Sequence, residues 1–152
     1  MRSAKLSAVI PLLLLTAGCA AFNPKETGLL NGKLRPCPPA PKCVSSYYPS
    51  GIHHIAPLTY TTSKKEAYAR LIAVIEGIEK SKIVTRTEDY IHAEFLVTSL
   101  EWVDVVEFLF EKDEKIIHFS SSASASVGYW DWGENKRRAK SVRALFNASQ
   151  TP

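Results

Sequence analysis

The chain has 152 residues, 45% of them hydrophobic, with 19 basic and 15 acidic side chains; this suffices for one domain with a buried core and is too short for two. An apolar stretch from Leu6 to Leu15 behind Arg2 and Lys5, closing on Thr16-Ala17-Gly18-Cys19, has the order of a secretory leader ending at a lipidated cysteine. Without residues 1–18 the balance is 17 basic against 15 acidic side chains, net +2, which argues against nucleic acid as a partner.

The apolar stretch is shorter than the roughly 20 residues that span a bilayer, so attachment is expected through acyl chains on Cys19 rather than through a helix. Ala20 in place of an aspartate points to the outer membrane of a two-membrane bacterium, facing the periplasm. From residue 19 to 33, Pro24, Gly28, Asn31 and Gly32 interrupt a segment with little apolar periodicity, which reads as a tether. Cys37 and Cys43, the remaining pair in a proline-rich loop, are expected to bridge in an oxidising compartment; a metal pair or a reactive thiol is the alternative.

Ser63 with Glu66 forms a capping box, and Ala67, Leu71, Val74, Ile75 and Ile78 follow at helical spacing, predicting a helix over Lys64 to Glu79. Four strand-like runs come next: Ile83 to Thr87, Tyr90 to Thr98, Trp102 to Phe110 and Lys115 to Ser122. In the second, Ile91, Ala93, Phe95 and Val97 share the expected core face, and in the third Asp104 and Glu107 point opposite ways. After a turn at Gly128, Ala139, Val142, Leu145 and Phe146 predict a closing helix. The expected fold is α+β in two layers: a four-stranded antiparallel meander with two helices on one face. The expected organisation is a signal peptide over 1–18, a lipidated cysteine and tether over 19–33, one α+β domain over 34–148 and a tail over 149–152.

Several separated motifs carry a resemblance: Pro36-Cys37-Pro38, Cys43-Val44-Ser45-Ser46, His54 to Leu58, Tyr90 to Glu94, and Val127-Gly128-Tyr129 running to Asp131, Gly133, Asn135 and Arg138. Together they resemble the domain-of-unknown-function family 1499 over Leu34 to Leu145. The resemblance implies an envelope or plastid protein without an assigned activity. Among its motif positions it offers His54, His92, Glu94, Asp104, Glu107, Asp131, Asn135 and Arg138 as candidate binding residues. Where the family places arginines near the last strand, this chain has Ser122 and Ser126.

Chemistry is thinly signposted. His53, His54, His92 and His118 fit no ligand spacing, so no metal or other cofactor is expected. Ser45 or Ser46 with His54 and Asp104 is the nominal set for a serine hydrolase, without a nucleophile-elbow motif. His92 and Glu94 share a strand face, as an acid/base pair or a cross-strand polar contact. Lys136 to Arg143 is either a solvated helix face or a contact to anionic headgroups, and Trp130 and Trp132 are either core edges or an exposed aromatic pair. The leading expectation is a non-enzymatic envelope lipoprotein that binds a periplasmic protein, cell-wall component or lipid. The alternatives are a carrier with an apolar cavity lined by Val105, Leu109, Val142 and Phe146, and a hydrolase or metal enzyme around His54, His92 and Glu94.

Overall fold

The computed structural model describes residues 27–97, 102–123 and 130–150. The leader, Cys19, most of the tether, Ser126 and Gly128 lie outside the described residues. The elements are β1 (Leu29–Leu30), β2 (Lys33–Leu34), β3 (Cys43–Ser45), β4 (Leu58–Thr59), α1 (Lys64–Glu76), β5 (Ser81–Arg86), β6 (Tyr90–Val97), β7 (Trp102–Phe110), β8 (Ile116–Ala123) and α2 (Glu134–Ala148). Among the described residues the class is α+β, with antiparallel sheets and two helices.

The four expected strands are β5 to β8, in the expected meander order, but the sheet has six strands rather than four. Both additions line the outer edge of β8: Cys43–Ser45 pair with Ser120–Ser122, and Leu58–Thr59 with Ile116–Ile117. Three and two residues are too short to show a period of two, so the run of apolar alternation that marks longer strands is absent from them. The end of the expected tether is also ordered. Leu29–Leu30 and Lys33–Leu34 pair across a two-residue turn in which Asn31 (φ 51°) and Gly32 (φ 77°) are both left-handed, the requirement of a type I′ hairpin.

Helix α1 starts as expected: the Ser63 hydroxyl accepts from the Glu66 amide and the Glu66 carboxylate accepts from the Ser63 amide. It ends at Glu76 rather than Glu79, with Gly77 as its cap, because glycine is a poor helix residue and a good terminator.

Directly paired residues of antiparallel strands share a face. Ile91, Ala93 and Phe95 therefore lie beside Phe108, Val106 and Asp104, and these beside Phe119, Ser121 and Ala123. This face packs on Ala67, Leu71 and Ile75 of α1 and on Ala139, Val142 and Phe146 of α2, making the main core. Phe108 and Phe119 stack at its centre, ring centroids 4.8 Å apart. The opposite face carries a row of Thr85, His92, Glu107, Ser120 and Ser45 across five strands. Its small apolar cluster is Leu34, Tyr90 and Leu109, with Tyr47 against it. Cys37 and Cys43 form a disulfide, which ties the proline loop to β3.

Candidate functional site

The eight candidate residues separate onto opposite sides of the sheet, and four of them meet at the start of α2. Arg138 Nη2 contacts Asp104 Oδ2 at 2.8 Å, with both side chains more than nine-tenths buried. Arg138 Nη1 donates to Asn135 Oδ1 (3.0 Å) and Ser121 Oγ (3.3 Å), and Ser121 Oγ donates to Asn135 Oδ1 at 2.5 Å. The Asn135 amide nitrogen donates to Asp131 Oδ2 (2.8 Å) and to the Lys42 carbonyl (3.1 Å). Burial pushes the Asp104 carboxyl above its ordinary range, and Arg138 offsets only part of that. Every polar group named here is occupied by another, so the network fastens α2 to β7, β8 and the loop before β3. Ser121, its sixth contributor with the Lys42 carbonyl, lies in a serine stretch that spacing alone does not single out.

Asp131 also organises the turn into α2. Its carboxylate accepts from the backbone amides of Gly133 (2.9 Å) and Asn135 (3.0 Å), which puts a negative charge at the helix N-terminus where the dipole favours it. Between them Trp132 (φ 54°) and Gly133 (φ 78°) are both left-handed. A bulky residue in that region costs on the order of 1–3 kcal/mol, and Arg137 Nη1 donating to the Trp132 carbonyl at 2.9 Å helps hold it. The Trp132 side chain gains nothing from the core in exchange: it is 86% exposed, and Trp130 is 63% exposed. The core-edge reading of these two rings is therefore corrected.

Beside this turn, Ile78, Phe95, Leu96, Val142 and Leu145 line an open groove of about 430 Å³, with Arg137, Arg138 and Ser141 along it. The expected cavity is not formed. Val105 and Leu109 are on the face opposite Val142 and Phe146, since they pair with Ser122 and His118 rather than with the helix-facing residues.

On the far face Glu107 is fully buried and accepts from the Gly28 amide and the Tyr90 hydroxyl, both at 2.7 Å. Burial first, and then this bond, raise the Tyr90 phenol pKa. His92 is 7% exposed and its Nε2 makes no hydrogen bond, so that nitrogen does not engage Glu94, which is half-buried opposite Lys82 on β5. His54 Nδ1 donates to the Tyr48 carbonyl at 2.5 Å and His53 Nδ1 to the Cys43 carbonyl at 2.8 Å.

The nominal serine hydrolase set is not assembled, because Ser45 and Asp104 are on opposite faces. Ser46, the other nominated serine, meets a different histidine. With His118 Nε2–H on Glu111 Oε1 (3.2 Å), His118 Nδ1 accepts from the Ser46 hydroxyl at 3.0 Å. That order matches a hydroxyl–imidazole–carboxylate line, but Ser46 Oγ also accepts from the Phe119 amide (2.9 Å) and Tyr47 stacks on His118 at 4.0 Å. The line is half-buried and pins the loop after β3 to β8. Burial holds the His118 imidazole below its ordinary pKa and pushes the Tyr47 phenol up to about 12.

Among the described residues, no three histidine, cysteine or acidic side chains converge as metal ligands, and no helix is long and apolar enough to cross a membrane. A family model described as protein of unknown function (DUF1499) matches residues 33–146. No curated protein matches the chain.

Proposed function

The chain belongs to the DUF1499 family, and we propose that this member is a bacterial cell-envelope lipoprotein that works by binding rather than by catalysis. Acyl chains on Cys19 hold it on the periplasmic side of the outer membrane, and the domain presents the edge of α2 to an envelope partner. One observation carries the reading. Asp104, Asn135 and Arg138 are engaged with one another, as are Ser46, His118 and Glu111, while Trp132 is held strained and outward where a glycine or asparagine would fold more cheaply.

The groove between β6 and α2 favours a second reading, a carrier of a small apolar ligand, since about 430 Å³ falls in the range of small-molecule sites. Native mass spectrometry of the chain, extracted gently from the envelope, separates the two. The binding reading expects an acylated N-terminus at Cys19 and no other added mass; a reproducible further mass favours the carrier. If Cys19→Ala is still cut at the same bond and stays with membranes, the lipoprotein reading is wrong.

A further inference from the structure

We infer that the α2 edge is a bilayer-docking surface, on which Trp130 and Trp132 enter the headgroup layer of anionic phospholipid while Lys136, Arg137 and Lys140 meet its charge. This rests on the envelope reading above and names the partner of that surface.

Composition and exposure support it together. Four large apolar side chains are exposed around this edge: Trp130, Trp132, and the groove residues Leu96 (44%) and Leu145 (47%). Arg137 joins the two groups, since it donates to the Trp132 carbonyl and also lines the groove. Tryptophan is the residue that favours the membrane–water boundary, with an apolar body and a polar N–H. Lys136, Arg137 and Lys140 are exposed on the first turns of α2. Asp131 is committed to the turn, and Glu134 pairs with Arg137 at 2.5 Å, a surface pair that is weak in water and in which a lipid phosphate can replace Glu134 on Arg137; the net positive charge of the surface is therefore that of Lys136 and Lys140. Buried Arg138 is neutralised by Asp104 and contributes shape, not net charge.

The tether makes weak docking sufficient. Seven residues lie between Cys19 and Thr27, eight Cα-to-Cα steps with a covalent reach of at most about 29 Å. A domain held that close meets the surface at an effective concentration in the millimolar range, so a contact too weak to recruit the free domain is still occupied. The left-handed backbone at Trp132 then has a use: it turns the ring away from the core and toward the surface that receives it.

The test uses the full chain, recovered from a bacterial envelope and reconstituted into vesicles, with tryptophan fluorescence read against phospholipid brominated on its acyl chains. The three tryptophans are Trp102, Trp130 and Trp132. In vesicles of phosphatidylglycerol and phosphatidylethanolamine, emission should be quenched, and the Trp130→Phe/Trp132→Phe variant, which keeps Trp102, should lose most of the quenching. Lys136→Gln and Lys140→Gln should each weaken docking about fivefold, as should replacing the anionic lipid or adding salt. All four positions are exposed, so thermal unfolding should not change. Quenching that survives in the double tryptophan variant, or that is equal in pure phosphatidylcholine, overturns the inference. The intact mass of the same sample reports separately whether Cys19 is acylated, so a failed anchor and a failed docking surface give different results.

Discussion

The two faces of the central sheet differ in what covers them. One is sealed by α1 and α2 over a continuous set of apolar side chains, with Asp104 as its charged member opposite Phe95 on β6. The other buries a polar row, His92, Glu107, Ser120 and Ser45, beneath a side of the domain reached by the β1–β2 hairpin through Gly28. Burial on the first face follows mainly from the hydrophobic effect, with the Asp104–Arg138–Asn135 network as its polar seam. On the second it depends on hydrogen bonds being completed, because an unpaired buried polar group is costly. The same backbone thus supports a face that tolerates little loss of volume and a face that tolerates little loss of pairing.

The largest test of that difference is Phe108→Ala, which empties the centre of the helix face and removes the stack on Phe119. A loss of about 3–5 kcal/mol in urea unfolding is expected, with Gly28 to Leu34 loosening only as the whole domain unfolds. Glu107→Ala tests the other face by orphaning the Gly28 amide and the Tyr90 hydroxyl. Its expected cost is smaller, about 2 kcal/mol, and hydrogen exchange should rise first in the hairpin. If the two variants loosen the same residues in the same order, the two faces are not distinct.

The smallest effect is on pH dependence. Burial lowers the His118 pKa from its ordinary 6.5, so the folded state binds that proton less well than the unfolded chain. The contribution is present above about 6.5 and is lost as pH falls through 6.5 toward the lowered value. Thermal unfolding should therefore move down as pH falls through this window, and His118→Gln should flatten that part of the curve. A His118→Gln profile parallel to the unaltered chain would show that the imidazole is not what titrates.

What the sequence disclosed follows the same division. The helix face was legible because Ala67, Leu71 and Ile75, Ile91, Ala93 and Phe95, and Ala139, Val142 and Phe146 repeat at the periods of their elements. The capping box at Ser63 marked the start of α1 to the residue. The second face was hidden because its covering segments are two or three residues long, and only pairing with β8 makes Cys43–Ser45 and Leu58–Thr59 strands. One signal there was readable: Asn31-Gly32 between leucine and lysine is a hairpin turn by its dipeptide alone. Of the candidate site, the strand period put Asp104 and Glu107 on opposite faces. It did not indicate that Asp104, Asp131, Asn135 and Arg138 meet, since that depends on how α2 crosses β7 and β8. Nothing in the local sequence marked Trp132 as outward, because its direction is set by two consecutive left-handed residues.

On this reading the molecule recognises its surroundings through the α2 edge and uses its second face for structure. A photocrosslinking side chain placed at Trp132 and, separately, at half-buried Glu94 in the intact envelope tests this directly. Adducts with membrane phospholipid are expected from position 132 and none from position 94. Capture from position 94 with none from 132 would contradict it and move the binding surface to the opposite side of the sheet.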